Sequence, residues 1–206
     1  LKGIRLQDFS GLGDRFVLSC KQLSNGHGAL LALELSGADG TLHYRGQAQM
    51  VSARTPANDG KATGPALDDW GGAPVYGDVL FHTDNFQVIE DVDGVGDAGI
   101  SGKLKGVDSA QWSWEHWNTD VAALDGGLQM LLLWARDHMG GAALPMGIGQ
   151  TLVHAETPPE GTVTCVARCR PSGKSRGIAD ISFSDESGVL FTEFKDVELI
   201  LRPGNN

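Results

Sequence analysis

Positive charge is scarce in this chain: 16 Lys and Arg stand against 26 Asp and Glu, leaving a formal charge of −10. With no basic block to neutralise phosphates, an electrostatic nucleic-acid binder is excluded. Long apolar runs are missing too. The longest, "MLLLWA" at 130–135, falls far short of the ~20 residues that span a bilayer. No signal-peptide pattern opens the chain. Three cysteines, an odd number, make no disulfide framework. Cys165 and Cys169 in "TVTCVARCR" would share one face of a strand about 13 Å apart, too far to hold a metal together. Three buried or half-buried free thiols in a reducing cytosol are therefore expected. His43, His116, His138 and His154 form no metal-ligand spacing, and His27, in the turn "NGHG", is expected to be solvent-exposed. "GKSRG" at 173–177 lacks the glycine that opens a phosphate loop.

What is present is ordinary globular composition, 41% hydrophobic and 20% charged, in 206 residues that can bury a substantial core. Residues 1–50 hold strand-like stretches "LKGIRLQDF", "RFVLSCKQL", "ALLALELSG" and "TLHYRGQAQMV", separated by turn clusters. They read as an antiparallel meander with no helix of its own, so one face lacks an obvious cover. Residues 51–75 are rich in Pro, Gly, Asp and Ala without periodicity and read as a linker or wrapping segment. From Tyr76 to residue 206 come strands, a Trp-rich stretch "WSWEHW", a long helix, then "GQTLVHAE", "GTVTCVARCRP", "GIADISFSD" and "GVLFTEFKDVELILR". One helix among antiparallel strands is an α+β layout. The two halves look like a duplication whose first helix is missing. A start at Leu1, without an initiator methionine and directly inside an apparent strand, points to a piece of a longer polypeptide.

The helix is predicted to start at an N-cap, Thr119 or Asp120, and to run to about His138, where "MGGAALP" stops it. Its apolar residues cover nearly the whole circumference, as expected of a helix wrapped by a sheet. On it, Asp125 and Gln129 are spaced i, i+4 and meet on one face. Gly126 and Gly127 each cost about 1 kcal/mol in a helix, and close approach of another backbone or of a substrate would account for them. Apolar surroundings would raise the Asp125 pKa and suit it to donate a proton, whereas the helix N-terminus would lower it. Gln129 could orient the carboxyl group. The plainer alternative is a solvated Asp125 at the open end of the helix.

"YGDVLFHTDNFQVI", then "LDGGLQMLLLWA", then "ALPMGIG" together resemble the dehydratase domains of type I polyketide synthases, most of all the dehydratase-like domains of polyunsaturated-fatty-acid synthases. The resemblance implies a double hotdog, two sheets each wrapping a long helix. Here the first hotdog, residues 1–50, would be incomplete and lack its helix, and the second would occupy residues 76–206. It implies that Asp125 and Gln129 match the acid motif Asp-x-x-x-Gln of the second hotdog. The catalytic histidine of the first, in a His-x-x-x-Gly-x-x-x-x-Pro motif, has no counterpart in this sequence. In "FHTDNFQ", His82, Phe86 and Gln87 match a Tyr/His-Gly-Pro-x-Phe-Gln element, while Thr83 and Asp84 replace Gly-Pro. By resemblance His82, Phe86, Gly126, Leu144 and Pro145 line the acyl substrate; a structural histidine is the alternative for His82.

The implied activity is dehydration of a β-hydroxyacyl thioester to the trans-2-enoyl thioester, a lyase step in polyketide or fatty-acid biosynthesis. The domain itself would bind no cofactor and no metal. Phosphopantetheine would come with an acyl carrier protein, and neighbouring synthase domains would be further partners. Nucleic acid and membrane are not expected partners, a homodimer is compatible, and the location would be cytoplasmic. Lacking the base, this chain is expected to be inactive by itself. A non-catalytic hotdog serving as scaffold or acyl-chain template is the other reading, and a hotdog thioesterase a third. The Trp112–Trp114 pair is expected to pack at the helix entrance. Arg170 with the 173–177 turn is read as a solvated turn rather than a carrier-protein contact.

Overall fold

A computed structural model describes residues 16–23, 30–49, 64–112, 117–155 and 157–202. The expected strand at 1–9, His27, Trp114 and His116 lie outside them. Ten strands and one long helix form two antiparallel sheets among the described residues. The smaller is a meander of β1 (Phe16–Leu23), β2 (Leu30–Gly37) and β3 (Leu42–Gln49). β1 is exposed along nearly its whole length, β3 alternates from Tyr44 onwards, and the β2–β3 register shifts between Leu35 and Ser36. That shift leaves His43 as the extra residue of a bulge, buried against Gly37. Phe16, Val17, Leu18 and Leu42 are exposed on this sheet. Cys20 is exposed as well, which corrects the expectation of three sheltered thiols: among the described residues it sits on the edge strand β1, all but one of whose residues are exposed.

The larger sheet has seven strands in the order β4-β5-β6-β8-β9-β10-β7. They are β4 (Asp68–Asp69), β5 (Ile89–Gly96), β6 (Gly99–Lys105), β7 (Ala143–Val153), β8 (Thr162–Pro171), β9 (Arg176–Ser184) and β10 (Leu190–Leu201). The helix α1 (Val121–His138) lies between β6 and β7 in sequence and packs against β5 through β9. Met130, Leu131, Leu133 and Trp134 are wholly buried among Ile100, Leu104, Val163, Ile181, Phe183 and Leu199. Burying each such side chain contributes about 1.5–3 kcal/mol. Cover is less complete than the circumference of apolar residues predicts. Leu124, Leu128 and Leu132, at i, i+4, i+8, form a half-buried stripe away from the sheet. The long helix laid along an antiparallel sheet is the hotdog arrangement.

Local chemistry sets the ends of α1. Asp120, fully buried, accepts from the backbone N–H of Ala123 at 2.9 Å and so is the N-cap. The same carboxylate accepts from Val107 N–H at 3.1 and 3.2 Å, tying the helix start to the end of β6. The strand after the helix begins at Ala143, earlier than its sequence pattern predicts, so Leu144 and Pro145 are strand residues. A proline is tolerated there because, among the described residues, β7 is an edge strand paired only with β10. Residues 64–75, within the predicted linker or wrapping segment, run along the sheet edge. Asp68 and Asp69 pair with Val95 and Gly94, where any Cβ on Gly94 would sit 2.6 Å from the Asp68 carbonyl oxygen.

Candidate active site

The amphipathic register of α1 places Asp125 and Gln129 on its sheet-distal flank, beside the loop 76–88 that leads into β5. Gln129, only 1% exposed, donates from Nε2 to Asp125 Oδ2 at 2.7 Å. Its second Nε2 hydrogen goes to the backbone carbonyl of Phe86 at 2.9 Å. Oε1 of Gln129 accepts from the hydroxyl of Tyr76 at 3.0 Å, and that hydroxyl accepts from the Ile89 N–H at 2.7 Å. Every polar atom of the amide therefore has a partner. Tyr76 opens the stretch "YGDVLFHTDNFQVI", but the sequence assigns it no role, because its partner is 53 residues away.

Burial drives the Asp125 carboxyl above its ordinary pKa; the Gln129 hydrogen bond and the charge of His82 only partly oppose it. The solvated alternative for Asp125 thus gives way to a half-buried acid inclined to keep its proton. Burial likewise pushes the Tyr76 phenol up, so Tyr76 is a neutral hydroxyl able to donate.

His82 lines an open recess of about 360 Å³ together with Tyr76, Gly77, Leu80, Phe81, Thr83 and Gln87. Its ring stacks on Phe81 at 4.7 Å, and its buried Nδ1 finds no hydrogen-bond partner among the described residues. The turn after it explains the Thr83–Asp84 departure. Asp84 opens a short 3-10 turn (Asp84–Phe86) with φ of 53°, a value closed to proline, whose ring holds φ near −65°.

The other expected contributors fall differently. Phe86 enters the network through its carbonyl, while its exposed ring packs edge-on against Trp112 at 5.0 Å. Trp112 in turn donates from Nε1 to the Asn85 carbonyl at 3.0 Å. Side chains already fill the space beside Gly126. It is buried, and a Cβ there would lie 3.0 Å from methyl groups of both Leu104 and Val88, so packing against the sheet accounts for it. Gly127 faces Phe183 in the same way. Leu144 and Pro145 pair with Ile200 and Leu199 on the far edge strand, beyond the C-terminal end of α1, and share no hydrogen bond with the Asp125 network. Among the described residues no three His, Cys, Asp or Glu side chains converge to hold a metal, and no helix is long and apolar enough to cross a membrane.

The family described as polyketide synthase dehydratase N-terminal domain matches residues 69–202. Among solved structures, the chain is similar to the bifunctional dehydratase-cyclase domain of ambruticin biosynthesis at 15% identity and TM-score 0.68, covering 91% of this chain and 69% of that one. It is similar to the dehydratase domain from the CurJ module of curacin polyketide synthase at 14% identity and TM-score 0.67, covering 91% and 68%. For the dehydratase domain of RzxB from Pseudomonas fluorescens the values are 15%, 0.60, 91% and 67%. At these identities the likeness is one of fold. A search of curated protein sequences returned no significant match.

Proposed function

This chain belongs to the polyketide synthase dehydratase N-terminal domain family, and from that premise we propose that Asp125 is the general acid of a dehydration. The observation that carries this reading is the half-buried Asp125 carboxyl, inclined to stay protonated and held at 2.7 Å by a fully partnered Gln129. The substrate is a β-hydroxyacyl thioester on the pantetheine arm of an acyl carrier protein, within a cytoplasmic synthase whose neighbouring domains are the partners. A base takes the α proton, the electron pair forms the Cα–Cβ double bond, and the Cβ–O bond breaks. Asp125 gives its proton to the departing hydroxyl, which leaves as water. Gln129 and the chain behind it stabilise the carboxylate that remains. By resemblance the base is a histidine in a His-x-x-x-Gly-x-x-x-x-Pro motif. This sequence holds no such motif, so the chain is inactive unless another segment supplies it.

The test is Asp125→Asn in the intact synthase, following conversion of a β-hydroxyacyl thioester to the enoyl product. Loss of general-acid assistance is expected to slow dehydration on the order of 10²–10⁴-fold. Unchanged dehydration with altered product length would instead make the domain an acyl-chain template, and release of free acid would make it a thioesterase.

A further inference from the structure

The network behind Asp125 has a direction fixed by the backbone at both ends. A backbone N–H can only donate, so the Ile89 N–H makes the Tyr76 oxygen an acceptor there and leaves the Tyr76 hydrogen free for Gln129 Oε1. A carbonyl can only accept, so the Phe86 oxygen requires the Nε2 end of the same amide. Both constraints turn Gln129 one way, with an N–H and never a C=O toward Asp125. We propose that Tyr76 is a positioning residue whose hydroxyl holds Gln129 as an obligate donor, so that a proton on Asp125 has no acceptor within the network and is directed to substrate. The proposal rests on the reading of Asp125 as an acid.

Without the Tyr76 hydroxyl, Oε1 of the buried Gln129 loses its donor. A buried acceptor left unpaired is costly, and a protonated Asp125, already in contact with this amide, is a donor that a turn of the amide brings to Oε1. The acid would then spend its proton on Gln129. Two changes act in the same direction on Asp125: the carboxylate loses an N–H and the acid form gains an acceptor. Both raise its pKa. Among the described residues the titratable groups that act on Asp125 are His82 and Tyr76, both from the 76–87 segment, and its own helix brings the amide of Gln129. His82 is the same in the parent and the variant and so cancels in the comparison.

The experiment titrates the Asp125 side-chain carboxyl by carbon NMR in the full 206-residue chain, with the resonance assigned through Asp125→Asn. Tyr76→Phe is expected to raise its midpoint by about one pH unit. A midpoint that stays put or falls overturns the proposal, even if the variant melts earlier, since lost stability is all a structural tyrosine would show. Should Tyr76→Phe not fold, the side-chain amide hydrogens of Gln129 in the unaltered chain decide. They are expected to remain protected from solvent exchange on both sides of the Asp125 titration, and loss of protection on protonation overturns the proposal. Failure of the dehydratase reading looks different: Asp125→Asn would leave dehydration intact in the synthase while the Tyr76→Phe shift still stood.

Discussion

Gln129 and Asp125, four residues apart on α1, share a hydrogen bond of 2.7 Å whose donor is Gln129. The acid is thereby kept ready for ionisation although its surroundings oppose it. Burial is the larger influence, and the carboxyl lies above its usual pKa in the folded chain.

A carboxyl whose folded pKa exceeds its unfolded one contributes stability below the unfolded pKa and loses it as pH rises through the folded value. Above the unfolded pKa the native chain therefore carries a cost at Asp125, that of a buried charge or of a proton the unfolded chain would release. Asp125→Asn keeps an oxygen for Gln129 and removes that cost. The variant is expected to melt above the parent at neutral pH, with the gap closing as pH falls through the carboxyl's folded pKa. Asp120, also raised by burial, is unchanged in both and cancels. Melting curves across that range check this; a gap that is constant with pH would place the Asp125 carboxyl in an ordinary environment.

The paired glycines are expected to respond differently to alanine. At Gly127 a Cβ would stand 2.5 Å from Cζ of Phe183, a ring with no exposure and no room to retreat. Gly127→Ala should cost roughly 1–3 kcal/mol from overpacking, more than the ~1 kcal/mol of helix propensity it gains. At Gly126 the contacts are methyl tips at 3.0 Å that can shift by a few tenths of an ångström. Gly126→Ala should stay within about 1 kcal/mol of the parent, because propensity offsets the squeeze. Urea unfolding of the two variants decides, and equal losses would count against this account.

Thiol reactivity should separate the cysteines. Cys20 is exposed, whereas Cys165 and Cys169 are buried in β8 on the face toward α1. Burial pushes the Cys169 thiol up to about 12 and Cys165 higher still, so neither offers a thiolate at mildly basic pH. Iodoacetamide is expected to label Cys20 alone in the folded chain and all 3 cysteines after unfolding. Rapid native labelling at Cys165 or Cys169 would show that β8 opens.

Short-range pattern made much of this legible. The cap at Asp120, the apolar run and the "MGGAALP" stop mark α1 because helix signals lie within a turn or two of the ends they set. The meeting of Asp125 with Gln129 follows from 3.6 residues per turn. The rest had no local signature. Tyr76 and the Phe86 carbonyl reach Gln129 from 53 and 43 residues away, a match made by the chain's path from the 76–88 loop into β5. Glycines that look alike in sequence point to different neighbours because a helix turns about 100° per residue, so one meets Leu104 and the other Phe183. Leu144 and Pro145 follow the helix in sequence, yet pairing with β10 carries them along the sheet edge away from the acid. Spacing along one helix determined which side chains could act together; only the tertiary structure decided which way the amide faces, because its partners are backbone groups held by the sheet.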